Sequence, residues 1–338
     1  MDVLLVGGTG IISTGITEQL VAAGHDVTLY NRGQTDVTVP DAVDHVQGDR
    51  EDLETFERDV PEIGPDAVVD MRCFTPDEAE SAIRACADVD RYVFCSSVAA
   101  YDHPVEDYPI TEDAPRKPAG ENYGEAKAEC ERRFERAHAE SDFPVVTLRP
   151  GHTYGEGGTR GGLCYSLGWE QTAFVDRLRQ GEPVVVHDSG TSLWASCHRD
   201  DVASAFVAAL ERGETGEAYQ VATEEEYAWD AYLEIAADAI GAPDPEIVHV
   251  PTECIAAALP ERSELLTRDL QYSLTYDSSK ARDALGFDPE VDWADGFRRT
   301  VEWLDERGEI DPAESADDDA VVEAWESARD AFDAEWDG

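Results

Sequence analysis

Along the first 150 residues the apolar side chains come in short unbroken runs, separated by stretches with helical spacing. Runs at 3–6, 27–30, 43–46, 67–69, 92–95 and 145–148 read as strands. Segments ending near Gly24, over 76–87 and over 121–139 read as helices. Unbroken runs rather than alternation mark strands buried on both faces, the condition of a parallel sheet covered by helices. Strands and helices taking turns therefore predict an α/β fold built on a doubly wound parallel sheet.

After Pro150 the pattern loosens. A glycine-rich stretch over 151–168 leads to a helix ending before Gly181 and a strand at 184–186; helices near 202–210 and 229–240 and a strand at 247–250 follow. A chain of 338 residues exceeds what one core usually supports. The division predicted is a sheet domain over 1–150 and a smaller, discontinuous substrate lobe over 151–310. The acidic segment 311–338 carries Val321, Val322, Trp325, Ala328 and Phe332 at near-helical spacing, which predicts a terminal amphipathic helix packed on the body or on a second subunit.

Charge changes the picture most. Seventy-five acidic residues face 26 basic ones, a formal net charge of −49, and only Lys117, Lys127 and Lys280 are lysines. Such a surface repels itself unless counterions screen it, which predicts a protein adapted to molar salt. No basic stripe supports nucleic-acid binding. Seven scattered cysteines with no C-x-x-C pair predict neither disulfides nor a metal site. No apolar run is long enough to span a bilayer, and the first residues enter a strand without a basic leader, so the expected location is the cytoplasm with no membrane partner.

The first strand runs straight into Gly7-Gly8-Thr9-Gly10-Ile11-Ile12-Ser13, which opens a helix. Glycines there let the backbone approach a pyrophosphate, and the helix start supplies N–H groups, so the sheet is predicted to be of the dinucleotide-binding Rossmann type. At the end of the second strand stands Asn31-Arg32, where a carboxylate would select NAD. With no carboxylate, and with an arginine able to pair a 2′-phosphate, the reading favours NADP over NAD. Asp49 is placed to contact the adenine edge, with Arg50 beside it.

Tyr123-Gly124-Glu125-Ala126-Lys127 puts a phenol and an ammonium on one helix face. The ammonium, with a positive nicotinamide, is expected to bring the phenol towards working pH. Upstream, an apolar strand ends in Ser96-Ser97. A Y-x-x-x-K pair alone is common; after a dinucleotide loop and a serine-tipped strand it points to chemistry.

Together these motifs resemble the extended short-chain dehydrogenase/reductases, the NAD-dependent epimerase/dehydratase group, in a halophilic, haloarchaeal-type form. The likeness runs through nearly the whole chain. It includes Gly48-Asp49, Ser96-Ser97-Val98-Ala99-Ala100-Tyr101, Leu148-Arg149-Pro150-Gly151-His152, His198-Arg199-Asp200-Asp201-Val202 and Leu285-Gly286-Phe287-Asp288-Pro289. The resemblance implies Ser97 and Tyr123 as catalytic groups, and Lys127 as ligand of the nicotinamide ribose and tuner of Tyr123. It also implies Pro150 and His152 beside the nicotinamide, and a homodimer built through the Tyr/Lys helix. Two departures stand out. Val69-Asp70-Met71-Arg72-Cys73-Phe74 replaces a stretch of small residues, and Trp194 stands where an arginine would grip a sugar-nucleotide phosphate. His152 and Trp194 are thus expected to line a substrate cleft with Ser97 and Tyr123, and the substrate to be sugar-like and free of a nucleotide diphosphate. The lead reading is an NAD(P)-dependent sugar epimerase or dehydrogenase. Its rivals are a reductase or dehydrogenase of a non-sugar carbonyl and a non-catalytic relative that binds RNA or senses redox state.

Overall fold

Strand β1 (Asp2–Val6) shows why the sheet forms as it does. Val3 and Leu5 pack to one face, Leu4 and Val6 to the other, and all four are buried. The computed structural model describes residues 1–34, 39–158, 161–164, 167, 172–260, 263–311 and 316–336. After β1 come α1 (Ile11–Ala22), β2 (Asp26–Asn31), β3 (Asp44–Gln47), α2 (Leu53–Ile63), β4 (Ala67–Asp70), α3 (Pro76–Ala85) and β5 (Arg91–Cys95). Then follow α4 (Tyr123–Ser141), β6 (Val145–Pro150), β7 (His152–Tyr154), α5 (Ala173–Gln180) and β8 (Val184–His187). Next are β9 (Leu193–Trp194), β10 (Ser196–His198), α6 (Arg199–Arg212) and β11 (Ala218–Val221).

Seven strands form one sheet in the order β11-β6-β5-β4-β1-β2-β3, every pair parallel. This is the predicted doubly wound α/β sheet. One face is covered by α1 and α6, where Ile16 and Leu20 meet Val202 and Phe206; the other carries Phe56, Ala79, Cys130 and Phe134 of α2, α3 and α4. The helix α2 was not expected: its eleven residues LETFERDVPEI bury only Phe56 and Val60, too sparse a pattern to read.

The boundary drawn at residue 150 needs correction. The seventh strand, β11, and the helix α6 both come from beyond it, because β6 leaves an unpaired edge that β11 fills in register from Thr147 to Pro150. The remaining segments gather round their own apolar core, which includes Phe174, Val185, Trp229, Tyr232 and Trp293. The terminal helix (Ala316–Trp336) packs on this lobe: Val321 is buried in its core, Asp318 accepts the Val185 amide at 3.1 Å, and Asp319 pairs with Arg177 at 2.8 Å. No described helix is long and apolar enough to cross a membrane.

Candidate active site

Between sheet and lobe lies a cavity of about 1080 Å³, and a smaller one of about 330 Å³ adjoins it beyond the glycine loop. The loop is shaped by its glycines. Gly8 has φ +83°, and a Cβ there would sit 2.6 Å from the Leu29 side chain. At the point of departure from the glycine pattern, Ser13 does more than stay small: its Oγ accepts the Gly10 amide at 2.8 Å. That leaves the amides of Ile11 and Ile12, on the first turn of α1, without helical partners.

The small cavity is lined by Asn31, Arg32, Asp49 and Arg50 among others. Two of these side chains are engaged otherwise than expected. Asn31 donates to the Gly7 carbonyl and accepts from Gly33 N and from His45 Nε2, each at 2.8 Å, so its amide builds the loop. Arg50 points into the protein, where it donates to Asp70 at 3.0 Å and to the Glu78 carbonyl at 2.7 Å, with Phe56 beneath it. Arg32 is exposed, with no ion-pair partner among the described residues.

The large cavity gathers Ser97, Tyr123 and Lys127. Tyr123 owes its place to a cap. Asn122 and Glu125 close a reciprocal capping box, so the helix α4 starts at the phenol itself and Lys127 follows one turn later. The residue is 53% exposed and lines the cavity together with Ser97. Lys127 is fully buried and donates to the carbonyls of Cys73 at 2.8 Å and Cys95 at 2.6 Å, with Phe74 4.5 Å from its ammonium. Burial pushes the phenol above its ordinary value, against the pull of the Lys127 ammonium and the Ser97 hydroxyl; the nicotinamide that the expectation also invoked would add to that pull. Ser96, one residue before Ser97, turns away and donates to buried Glu131, which also holds Arg149.

His152 and Trp194 line the same cavity, as does Pro150. Their polar atoms are already occupied. Trp194 Nε1 donates to Ser196 Oγ at 2.9 Å; His152 bonds Ser196 Oγ at 2.7 Å and the Gly162 carbonyl at 2.8 Å. Because a carbonyl only accepts, His152 carries its proton on Nε2, and burial pushes its pKa down to about 4. The two rings lie 4.9 Å apart, tilted by 39°. With these polar atoms engaged, the rings offer a ligand an apolar wall.

The cavity also has a charged lining that the motifs do not mark. Lys117 lines the cavity and donates to the Ala99 carbonyl at 3.0 Å and to Asp269 at 3.1 Å; Arg268 and Asp269 come from a π-helical turn, Leu266–Leu270. Arg72 was quoted only as a departure, yet it borders both cavities. Scarcity was the available signal for Lys117, one of three lysines in the chain. Among the described residues, Glu156, His198 and Asp200 have metal-like spacing, but their groups are engaged with one another, with Arg199 and with Arg299.

The NAD dependent epimerase/dehydratase family matches the chain over residues 3–222. The 2′-dehydrokanamycin reductase of Streptomyces kanamyceticus is 30% identical over 93% of this chain and 87% of its own length. The chloroplast stem-loop binding protein of 41 kDa b of Arabidopsis thaliana is 27% identical over 87% of this chain and 77% of its own. Among solved structures, UDP-glucose 4-epimerase of Bifidobacterium longum in complex with NAD+ and UDP superposes with a TM-score of 0.72 at 21% identity, covering 92% of this chain and 100% of that one; the likeness is one of fold.

Proposed function

From the premise that this chain belongs to the NAD dependent epimerase/dehydratase family, we propose that it is an NAD(P)-dependent oxidoreductase of the epimerase/dehydrogenase type acting on a sugar. The observation that carries the reading is the meeting of Ser97, Tyr123 and Lys127 in one cavity beside the glycine loop. The loop fits a dinucleotide: Gly7 and Gly8 hold positive φ, and residues without side chains let the backbone approach a pyrophosphate. The nicotinamide, when bound, supplies or accepts the hydride. Tyr123 Oη takes the proton from a substrate hydroxyl, or returns it to a carbonyl oxygen. Ser97 Oγ holds that same oxygen. Lys127, fixed by two carbonyls, favours the phenolate and would hold the nicotinamide ribose.

Several finer readings go with it. Unpaired Arg32 supports NADP over NAD, with Asp49 facing the adenine. The substrate lobe supplies the apolar His152/Trp194 wall and Asp269, which meets Lys117 of the first 150 residues in a polar one. A nucleotide diphosphate is disfavoured: Arg149 is committed to Glu131, Tyr101 and the Glu112 carbonyl, Arg199 to Glu18, Asp200 and Thr14, and Arg160 lies outside the described residues. A relative named for reducing 2′-dehydrokanamycin supports the same side. The relative named for stem-loop binding supports an RNA-binding alternative, which the acidic composition opposes. A halophilic, cytoplasmic homodimer completes the proposal.

The test is turnover of NADPH or NAD with keto-sugars lacking a nucleotide, 2′-dehydrokanamycin among them, and with UDP-glucose. Tyr123→Phe should keep the fold and dinucleotide binding and lower turnover by about 10² to 10⁴. Turnover equal to wild type removes Tyr123 from the mechanism.

A further inference from the structure

We propose that Arg72 is the cation that grips the pyrophosphate of the dinucleotide, an inference that rests on the cofactor reading above. Gly7, Thr9 and Arg72 border both cavities and form the neck between them. Ser97, Tyr123 and Lys127 lie on the large side, Arg32 on the small side. A dinucleotide with one nucleoside in each cavity must thread its pyrophosphate through that neck.

The neck is built to receive it. On one side is Gly7, where an added Cβ would stand 3.1 Å from Arg72 Cγ, so the arginine stem lies directly along the loop. The backbone of Arg72 is pinned, its amide donating to buried Asp70 at 2.8 Å, and its guanidinium rests over Phe74, 4.7 Å from the ring centroid. A guanidinium so held loses little freedom on meeting an anion.

Its charge is also available. The ion pair recorded for Arg72 is with Glu51 at 3.8 Å, a largely exposed carboxylate, whereas Arg50 and Arg149 are buried against acids at 3.0 and 2.8 Å. The loop needs the help. One of its amides, that of Gly10, is already given to Ser13, and the surrounding chain carries a net charge of −49 that opposes any anion. A dianionic linker in this protein requires a local cation, and Arg72 stands at the neck.

The experiment is titration of NAD and NADP into the full-length chain at one fixed molar salt, by calorimetry or NADPH fluorescence, for wild type, Arg72→Ala, Arg72→Lys and Arg32→Ala. Thermal melts establish that each variant is folded. Arg72→Ala should weaken both dinucleotides alike, by roughly 10- to 100-fold, the worth of a hydrogen bond to a charged group. Arg72→Lys should recover part of the loss, and Arg32→Ala should weaken NADP alone. Unchanged affinity of Arg72→Ala for both dinucleotides overturns the assignment. A loss confined to NADP overturns it too, by moving Arg72 to the 2′-phosphate. A wild-type protein that binds neither dinucleotide strikes instead at the cofactor reading itself.

Discussion

Asp70→Asn should destabilise the protein through a network that no substrate touches. Asp70 is fully buried at the tip of β4, where its Oδ2 accepts from Arg50 Nε at 3.0 Å and from the Tyr92 hydroxyl at 2.8 Å; its Oδ1 accepts the Arg72 amide at 2.8 Å. An asparagine presents an NH₂ where one of those oxygens stood, so a donor meets a donor, and buried Arg50 loses its counter-charge. Breaking a buried pair from one side costs about 3–5 kcal/mol. Unfolding entropy near 2.1 cal/mol/K per residue gives about 0.7 kcal/mol/K for 338 residues, so the melting temperature should fall by roughly 4–7 °C. The assay is differential scanning calorimetry in molar salt. The double change Asp70→Leu with Arg50→Met should recover only part of the loss: it strands no charge, but the Tyr92 hydroxyl and the Arg72 amide still lose their acceptor. A single-variant shift below about 1 °C would refute the reasoning.

Two further outcomes are expected. The melting temperature should fall as salt is lowered from molar to the 0.1 M range, where the screening length reaches about 10 Å; an unchanged value would remove the halophile reading. Stability should also fall with pH between about 6.5 and 4, because burial pushes both His152 and His187 down to about 4 from an ordinary 6.5. In that window the unfolded chain binds protons that the folded one refuses, so the stability present above pH 6.5 is lost on acidification. Denaturation midpoints measured from pH 7 to 4.5 would show it, His152→Asn should reduce the slope, and a flat profile would contradict the burial argument.

What could be read from sequence was whatever local spacing encodes. The glycine loop, the Tyr123/Lys127 pair and the Ser97 strand end are each a few residues long, and their geometry follows from one turn or one helix. Where a side chain spends its hydrogen bonds is a different matter. Asn31 and Arg50 border the small cavity, yet Gly7, His45, Asp70 and Glu78 claim their polar groups, and those partners are brought in by the sheet. His152 and Trp194 were placed at the cleft from their neighbours alone; that Ser196 satisfies both depends on β7 pairing with β10. Lys117 meets Asp269 across 152 residues, beyond any periodicity. The strand β11 escaped for the same reason, since its four residues AYQV acquire meaning only against the edge of β6.

The scarcity of lysine has a practical side. Lys127 is sealed beneath Phe74 and Lys117 is held between the Ala99 carbonyl and Asp269, so amine-directed reagents meet only Lys280 among the side chains, itself paired with Glu217 at 2.7 Å. Coupling to a support or a dye through side-chain amines would therefore be close to single-site. Lys280 lies on the helix Ser279–Leu285, which packs against the α6 face of the sheet, away from the cavity lining. A sample immobilised through Lys280 would keep its cleft open to the solution.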